Sequence, residues 1–142
     1  MEPVPAFTST VVVHIPPARA WALLTDWVAA PAWMPGVTEM HAEGPTQTGL
    51  VIDFHARGHE RTAQVTALDP GRSITITTGE GDVGAHYAYG LAAAGLDTRL
   101  TLQVTVHVSD SLADMAGDVA ASLVEADLTQ LESFRRYAEA AP

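Results

Sequence analysis

FTSTVVVHIPPARAWALLTD, residues 7–26, changes its period halfway along, and that change decides the fold. The first half, within residues 6–15, is rich in β-branched residues and reads as a strand. Pro16-Pro17 then stops the strand. Proline is tolerated in the first turn of a helix, so a helix runs from Ala18 to about Asp26, with Trp21, Leu23 and Leu24 apolar. A second short helix, interrupted by Pro31 and Pro35, carries Trp27, Trp33 and Met34.

Working outward from this stretch, the pattern from Val37 to Ser109 has period two. Strands are predicted at about 37–43, 49–57, 60–69, 72–79, 83–93 and 98–108. Turns fall at Gly44-Pro45 to Gly49, Gly58-His59, Pro70-Gly71, Glu80-Gly81 and Gly95-Leu96, and Pro70-Gly71 suits the centre of a type II turn. Connections this short force antiparallel neighbours. The final segment, about Ser111 to Ala140, reads as one long helix of roughly 45 Å, enough to cross a sheet. Ser111 and Asp114 resemble a capping box. Asp110, Asp114 and Asp118 lie near its positive end, and Arg135 and Arg136 near its negative end.

The chain has 142 residues, a length for one domain, 1–142. Its 47% hydrophobic and 17% charged residues exclude disorder and promise a sizeable core. No stretch offers the ~20 apolar residues a membrane span needs. The start, MEPVPAFTST, carries an acid where a signal peptide has basic residues, so a cytoplasmic protein is expected. With no cysteine, disulfides, thiolate catalysis and Cys-ligated zinc are excluded. A net charge of −10 repels nucleic acid and anionic membrane surfaces, and Arg135–Arg136 is the sole adjacent basic pair. The glycines form no phosphate-binding loop, so no cofactor is implied. A small, mostly uncharged ligand suits this balance best. A homodimer is left open.

Register fixes which side chains share a face. Two-residue turns set Leu100, Leu102 and Val104 opposite Leu91, Tyr89 and Tyr87, and Ile74 and Ile76 opposite Tyr87 and Ala85. Ala67, Val65 and Ala63 then meet Ile74, Ile76 and Thr78. Leu50, Ile52, Phe54 and Ala56 meet Ala67, Val65, Ala63 and Arg61. One face collects nearly all the apolar residues. The other holds Val51, Asp53, His55, Arg57, Thr62, Gln64, Thr66, Thr75, Thr77, His86, Thr101, Gln103, Thr105 and His107, and faces water. Asp53 with His55 has the look of a catalytic dyad, and with His59 and Glu60 of a metal cluster. Alternation sends Asp53 and His55 outward and leaves His59 in a turn, so a solvated strand face explains them and no metal is assigned. The facing of His14 and His41 is undetermined.

On the long helix, an apolar stripe comprises Leu112, Ala116, Val119, Leu123, Ala126, Phe134 and Tyr137. Asp110, Asp114, Asp118, Glu125, Glu132 and Glu139 take the opposite side. Asp127 does not join them. It projects within roughly 60° of the stripe's centre, and Gln130 lies almost on the centreline. A carboxylate facing an apolar cavity is costly unless paired, protonated or hydrated, and such a carboxyl suits a general base or acid. The alternative is that Asp127 reaches water or Arg61. Arg61 is the other charged residue that register places inside, near the cavity rim.

His14-Ile-Pro-Pro-Ala-Arg-Ala-Trp21-Ala-Leu-Leu-Thr-Asp26, with Trp33-Met-Pro-Gly36, Leu68-Asp-Pro70 and Gly95-Leu-Asp-Thr-Arg99, resembles the START-like helix-grip (SRPBCC) superfamily over nearly the whole chain. The nearest branch is the polyketide cyclase/dehydrase group of small bacterial proteins. The resemblance implies an α+β helix-grip, a seven-stranded antiparallel sheet wrapped around a long C-terminal helix, with two short helices between strands one and two. It also implies an internal cavity for a small hydrophobic or aromatic ligand. The candidate catalytic residues are Asp127, Tyr87, Tyr89 and Arg61, for proton removal beside a carbonyl, ring closure and loss of water. Candidate ligand-binding residues are Trp33, Met34, Phe54, Ile74, Leu91, Leu102, Leu123, Gln130 and Phe134, with Trp33 placed at the mouth. A carrier or sensor of a lipid-like or aromatic metabolite uses the same cavity without chemistry.

Overall fold

In the computed structural model, which describes residues 4–80 and 83–140, seven strands form one antiparallel sheet. The side chains of residues 80, 112, 113, 122, 123 and 125–127 lie outside that description. The strands are β1 (Val4–Val13), β2 (Val37–Ala42), β3 (Val51–Ala56), β4 (His59–Asp69), β5 (Ser73–Glu80), β6 (Val83–Ala94) and β7 (Asp97–Val108), in the spatial order β1-β7-β6-β5-β4-β3-β2. Helix α1 (Pro17–Leu24) and a 3₁₀ helix (Trp27–Ala32) lie between β1 and β2. Pro16 and Pro17 open α1 as the sequence requires, but the helix ends at Leu24. There the Thr25 hydroxyl donates to the Trp21 carbonyl at 2.9 Å, which competes with continued helix.

The hairpin β6–β7 has the expected register, Leu91 opposite Leu100, Tyr89 opposite Leu102 and Tyr87 opposite Val104. Two other ladders differ from expectation by one two-residue step. Ile74 and Ile76 face Tyr89 and Tyr87, and Ile52, Phe54 and Ala56 face Ala63, Arg61 and His59. The cause in β3–β4 is the turn. Arg57 and Gly58 both have positive φ, +51° and +80°, which makes a two-residue turn of type I′ at Arg57-Gly58 and not at Gly58-His59. A slip of two preserves facing, so the inner and outer sets survive. Within the strands, Ala67 is an exception. The register of β4 against β5 shifts between Val65 and Ala67, so Ala67 is exposed and Leu68 takes the place opposite Ile74.

The C-terminal segment differs from one uninterrupted helix. It begins as a 3₁₀ helix (Asp110–Met115) and continues as α2 (Ala116–Asp127) and α3 (Gln130–Ala140). The Ser111 hydroxyl pairs with that of Ser109 at 2.9 Å, so the expected capping box gives way to a local serine pair. The break at Leu128-Thr129 separates two packing tasks. Ala116 and Ala120 of α2 close a small core with Val106 and Val108, whereas Leu131, Phe134 and Ala138 of α3 enter the main core. The interruption lies between the halves that pack on the two cores, and Leu128 there is 49% exposed.

The main core is built on Val13, Leu24, Ile52, Val65, Ile74, Leu100, Leu102, Val104, Leu131 and Phe134. Trp33 lies within it, edge-on to Phe134 with centroids 4.9 Å apart. On the outer face, Thr66, Thr77 and His86 form a hydrogen-bonded row at 2.8 and 2.9 Å. His86 and His107 are not solvated as alternation predicts: they are half-buried and stack at 5.2 Å. Gly84 faces His107 in the ladder, and a Cβ there would lie 2.4 Å from the imidazole, so the glycine is what lets the ring fold down. No helix among the described residues is long and apolar enough to cross a membrane.

Candidate functional site

Between α3, the inner face of β3–β6 and the segment after the 3₁₀ helix lies a cavity of about 160 Å³. Its walls include Met34, Met40, Ile52, Phe54, Ala63, Ile76, Tyr87, Tyr89 and Gln130, alternate inner residues of neighbouring strands as the period-two pattern dictates. Gln130, only 4% exposed, opens α3 and accepts a hydrogen bond on Oε1 from the Tyr89 hydroxyl. This satisfies two polar groups that burial would otherwise penalise. It also sets a hydroxyl and an amide among the apolar side chains of the wall.

Of the proposed residues, Met34, Phe54, Arg61, Tyr87, Tyr89 and Gln130 come together on this cavity. Trp33, Ile74, Leu91, Leu102 and Phe134 are buried in the core and are not among its lining residues. Trp33 in particular is 2% exposed, and its indole N–H has no hydrogen-bond partner, so it is packed away from the mouth. Asp127 ends α2 and Leu123 lies within it, but their side chains are outside the described residues.

Arg57 was missed. Alternation assigns it to the outer face, yet it lines the cavity together with Pro35, Val37, Ala56 and Thr78. Its placement follows from the type I′ turn, whose Arg57 backbone N–H donates to the Gly36 carbonyl at 3.0 Å. The side chain lies along Gly36, whose φ is +78°, and a Cβ on Gly36 would meet its Cγ and Nε at 3.3 Å. The signal was present in the sequence, because a glycine at the second position of a two-residue loop marks such a turn.

A second, open concavity of about 820 Å³ adjoins the first where the β4–β5 ladder begins only at Ala63 and Thr78. Met40, Phe54, Arg61 and Thr78 border both, and Glu39, His41, Asp53, His55, His59 and Glu60 line the outer one. Asp53 accepts from the Thr62 hydroxyl at 3.4 Å on the outer face. Among the described residues no group of three or more His, Cys, Asp or Glu is placed to hold a metal ion. His41 is exposed beside Glu43, 3.8 Å away. His14 is exposed too: its Nδ1 lies 3.1 Å from Asp97, and its backbone N–H donates to Glu139 of α3. Neither histidine lines the inner cavity.

The family model described as polyketide cyclase/dehydrase and lipid transport matches residues 5–139, and the chain belongs to that family. A search of curated proteins gives no match. Among solved structures, the Zhui aromatase/cyclase from Streptomyces sp. R1128 superposes with a TM-score of 0.72 at 20% identity, over 94% of this chain and 92% of that one. Truncated norcoclaurine synthase from Thalictrum flavum gives 0.70 at 13% identity, over 100% and 98%. A protein from Thermus thermophilus gives 0.71 at 14%, over 96% and 97%. At these identities the likeness shows the fold.

Proposed function

We propose that this member of the polyketide cyclase/dehydrase and lipid-transport family binds a small, oxygenated hydrophobic ligand, aromatic or poly-keto, and promotes its cyclisation and dehydration. The observation that carries the reading is the buried Tyr89–Gln130 pair beside Tyr87 in an apolar cavity with Arg61 at its edge. In such a site the Tyr87 hydroxyl and the Arg61 guanidinium are the donors to an enolate oxygen as it develops, while Tyr89, whose own proton goes to Gln130, orients the Gln130 amide so that its N–H can donate as well. Asp127, by its phase on the helix, is the proposed base that removes the proton beside the carbonyl and later returns it to the departing hydroxyl. Met34, Phe54 and Gln130 hold the ligand's body. Trp33, Ile74, Leu91, Leu102 and Phe134 back that wall, and Leu123 is proposed to join it only from its place in the apolar stripe of the sequence.

One observation favours a second reading, that of a carrier. Among the described lining residues no histidine or carboxylate is present, and tyrosine and arginine are the titratable groups. The test is to incubate the protein with a reactive β-polyketone thioester mimic and compare products with the spontaneous mixture. A shift toward one dehydrated ring, lost in Asp127→Asn, supports the cyclase reading. Ligand retained by the protein but recovered unchanged supports the carrier.

A further inference from the structure

Two lining residues of the inner cavity are exposed, and both are arginines, Arg57 and Arg61. They are also the charged groups among its described lining residues, in a chain whose net charge is −10. On α3 the arginines are paired: Arg135 is held by Glu132 and Glu139, and Arg136 by Glu132. No described carboxylate lies within ion-pair distance of Arg57 or Arg61.

Arg57 is also held in place at a local cost. It is the one non-glycine residue with positive φ among the described residues, in a turn position where asparagine or glycine sits without strain. Its backbone is tied to Gly36, and Gly36 leaves the room its side chain occupies. A residue kept against local preference beside a cavity points to a task there. The size of the cavity narrows the task. Its roughly 160 Å³ is close to the volume that takes a single benzene ring in an engineered protein cavity.

We propose, building on the ligand-binding reading above, that the cavity takes a one-ring or equally short organic anion. Its apolar body lies among Met34, Phe54, Ile76 and Tyr87, and its anionic head is held at the mouth by Arg57 and Arg61. The planar guanidinium fork fits a carboxylate or a phosphate monoester, and each bond is charge-assisted. The expected small hydrophobic or aromatic ligand is thereby narrowed to one that carries a single anionic head.

The test measures binding of phenylacetate, phenyl phosphate and neutral phenylacetamide to the wild-type chain, in a buffer without competing anions. At least one anion is expected to bind about tenfold or more tightly than the amide, and which one does identifies the head. In Arg57→Asn the preference should shrink by about tenfold while the melting temperature holds or rises, because asparagine suits the turn. Arg57→Lys should retain part of the preference. Equal binding of anions and amide overturns the proposal and leaves the cavity reading intact. Binding of none of the three overturns both. A preference that survives in both Arg57→Asn and Arg61→Gln overturns the assignment of the head to these residues.

Discussion

Tyr89→Phe is the sharpest probe of the site, because it removes one oxygen atom and changes little else. Tyr89 and Gln130 are 3% and 4% exposed, so water cannot freely replace the lost donor at the Gln130 carbonyl. Leaving a buried acceptor unsatisfied costs about 1–3 kcal/mol. For a chain of this length, about 3 °C of melting temperature corresponds to each kcal/mol, so a fall of roughly 3–9 °C is expected. Gln130→Met removes the acceptor along with its polar demand, and Tyr89→Phe should then cost much less in its presence. The resulting cycle isolates the pair from the other contacts of Tyr89, with a coupling of about 1 kcal/mol or more. Urea titrations at constant m-value give the free energies, and melts give an independent check. A Tyr89→Phe protein within about 0.5 kcal/mol of wild type, or strict additivity in the double variant, would refute a buried, energetically significant pair.

Filling the cavity with Ala63→Phe should abolish binding of phenylacetamide, which calorimetry reads directly; undiminished binding would place the ligand elsewhere. Gly36→Ala should destabilise by about 1 kcal/mol, because Gly36 has positive φ and its new methyl group meets Arg57; unchanged urea midpoints would argue against that backbone. Asp127→Asn should be neutral or stabilising by ~1 kcal/mol while turnover or affinity falls, if the carboxyl is an unpaired acid in the cavity. If it pairs with the exposed Arg61, the same change should instead cost up to about 1 kcal/mol, and Arg61→Gln should remove that cost. Burial first, and the neighbouring His107 second, hold the His86 imidazole below its ordinary pKa. The unfolded chain therefore binds a proton more readily, so stability should fall as pH is lowered through the ordinary histidine range toward that depressed value. His86→Gln should flatten this part of the stability–pH curve, and an unchanged slope would show that other groups cause it.

The facing of the sheet was legible because strands have period two. Ile52, Val65, Ile76, Tyr89 and Leu102 lie on the inner face in the structure as in the sequence reading, although two ladders sit one step away from where the turns were placed. The break at Leu128-Thr129 was not legible, because neither proline nor glycine marks it. It follows from the two halves packing on different cores, which is a property of the assembled sheet. The stack of His86 on His107 was missed for another reason: the β6–β7 register read from the sequence already sets Gly84 opposite His107, but alternation takes no account of the room that a glycine leaves.

Depth along the cavity is where period-two reasoning stops. Moving a strand by two residues leaves every side chain on its face but carries it about 7 Å along the sheet. That distance is the difference between the core, where Ile74, Leu91 and Leu102 lie, and the open end, where Ala63, Ile76 and Thr78 form the wall. The type I′ turn at Arg57-Gly58 sets that step for β3 against β4, and it is the same turn that holds Arg57 at the mouth. One turn therefore determines both how far up the grip the cavity opens and which charge stands beside it. A change that re-registers this hairpin should move both together, whereas Arg57→Asn keeps the turn type and alters the charge alone. That separation makes the arginine, and not the hairpin, the residue to vary when asking what the cavity admits.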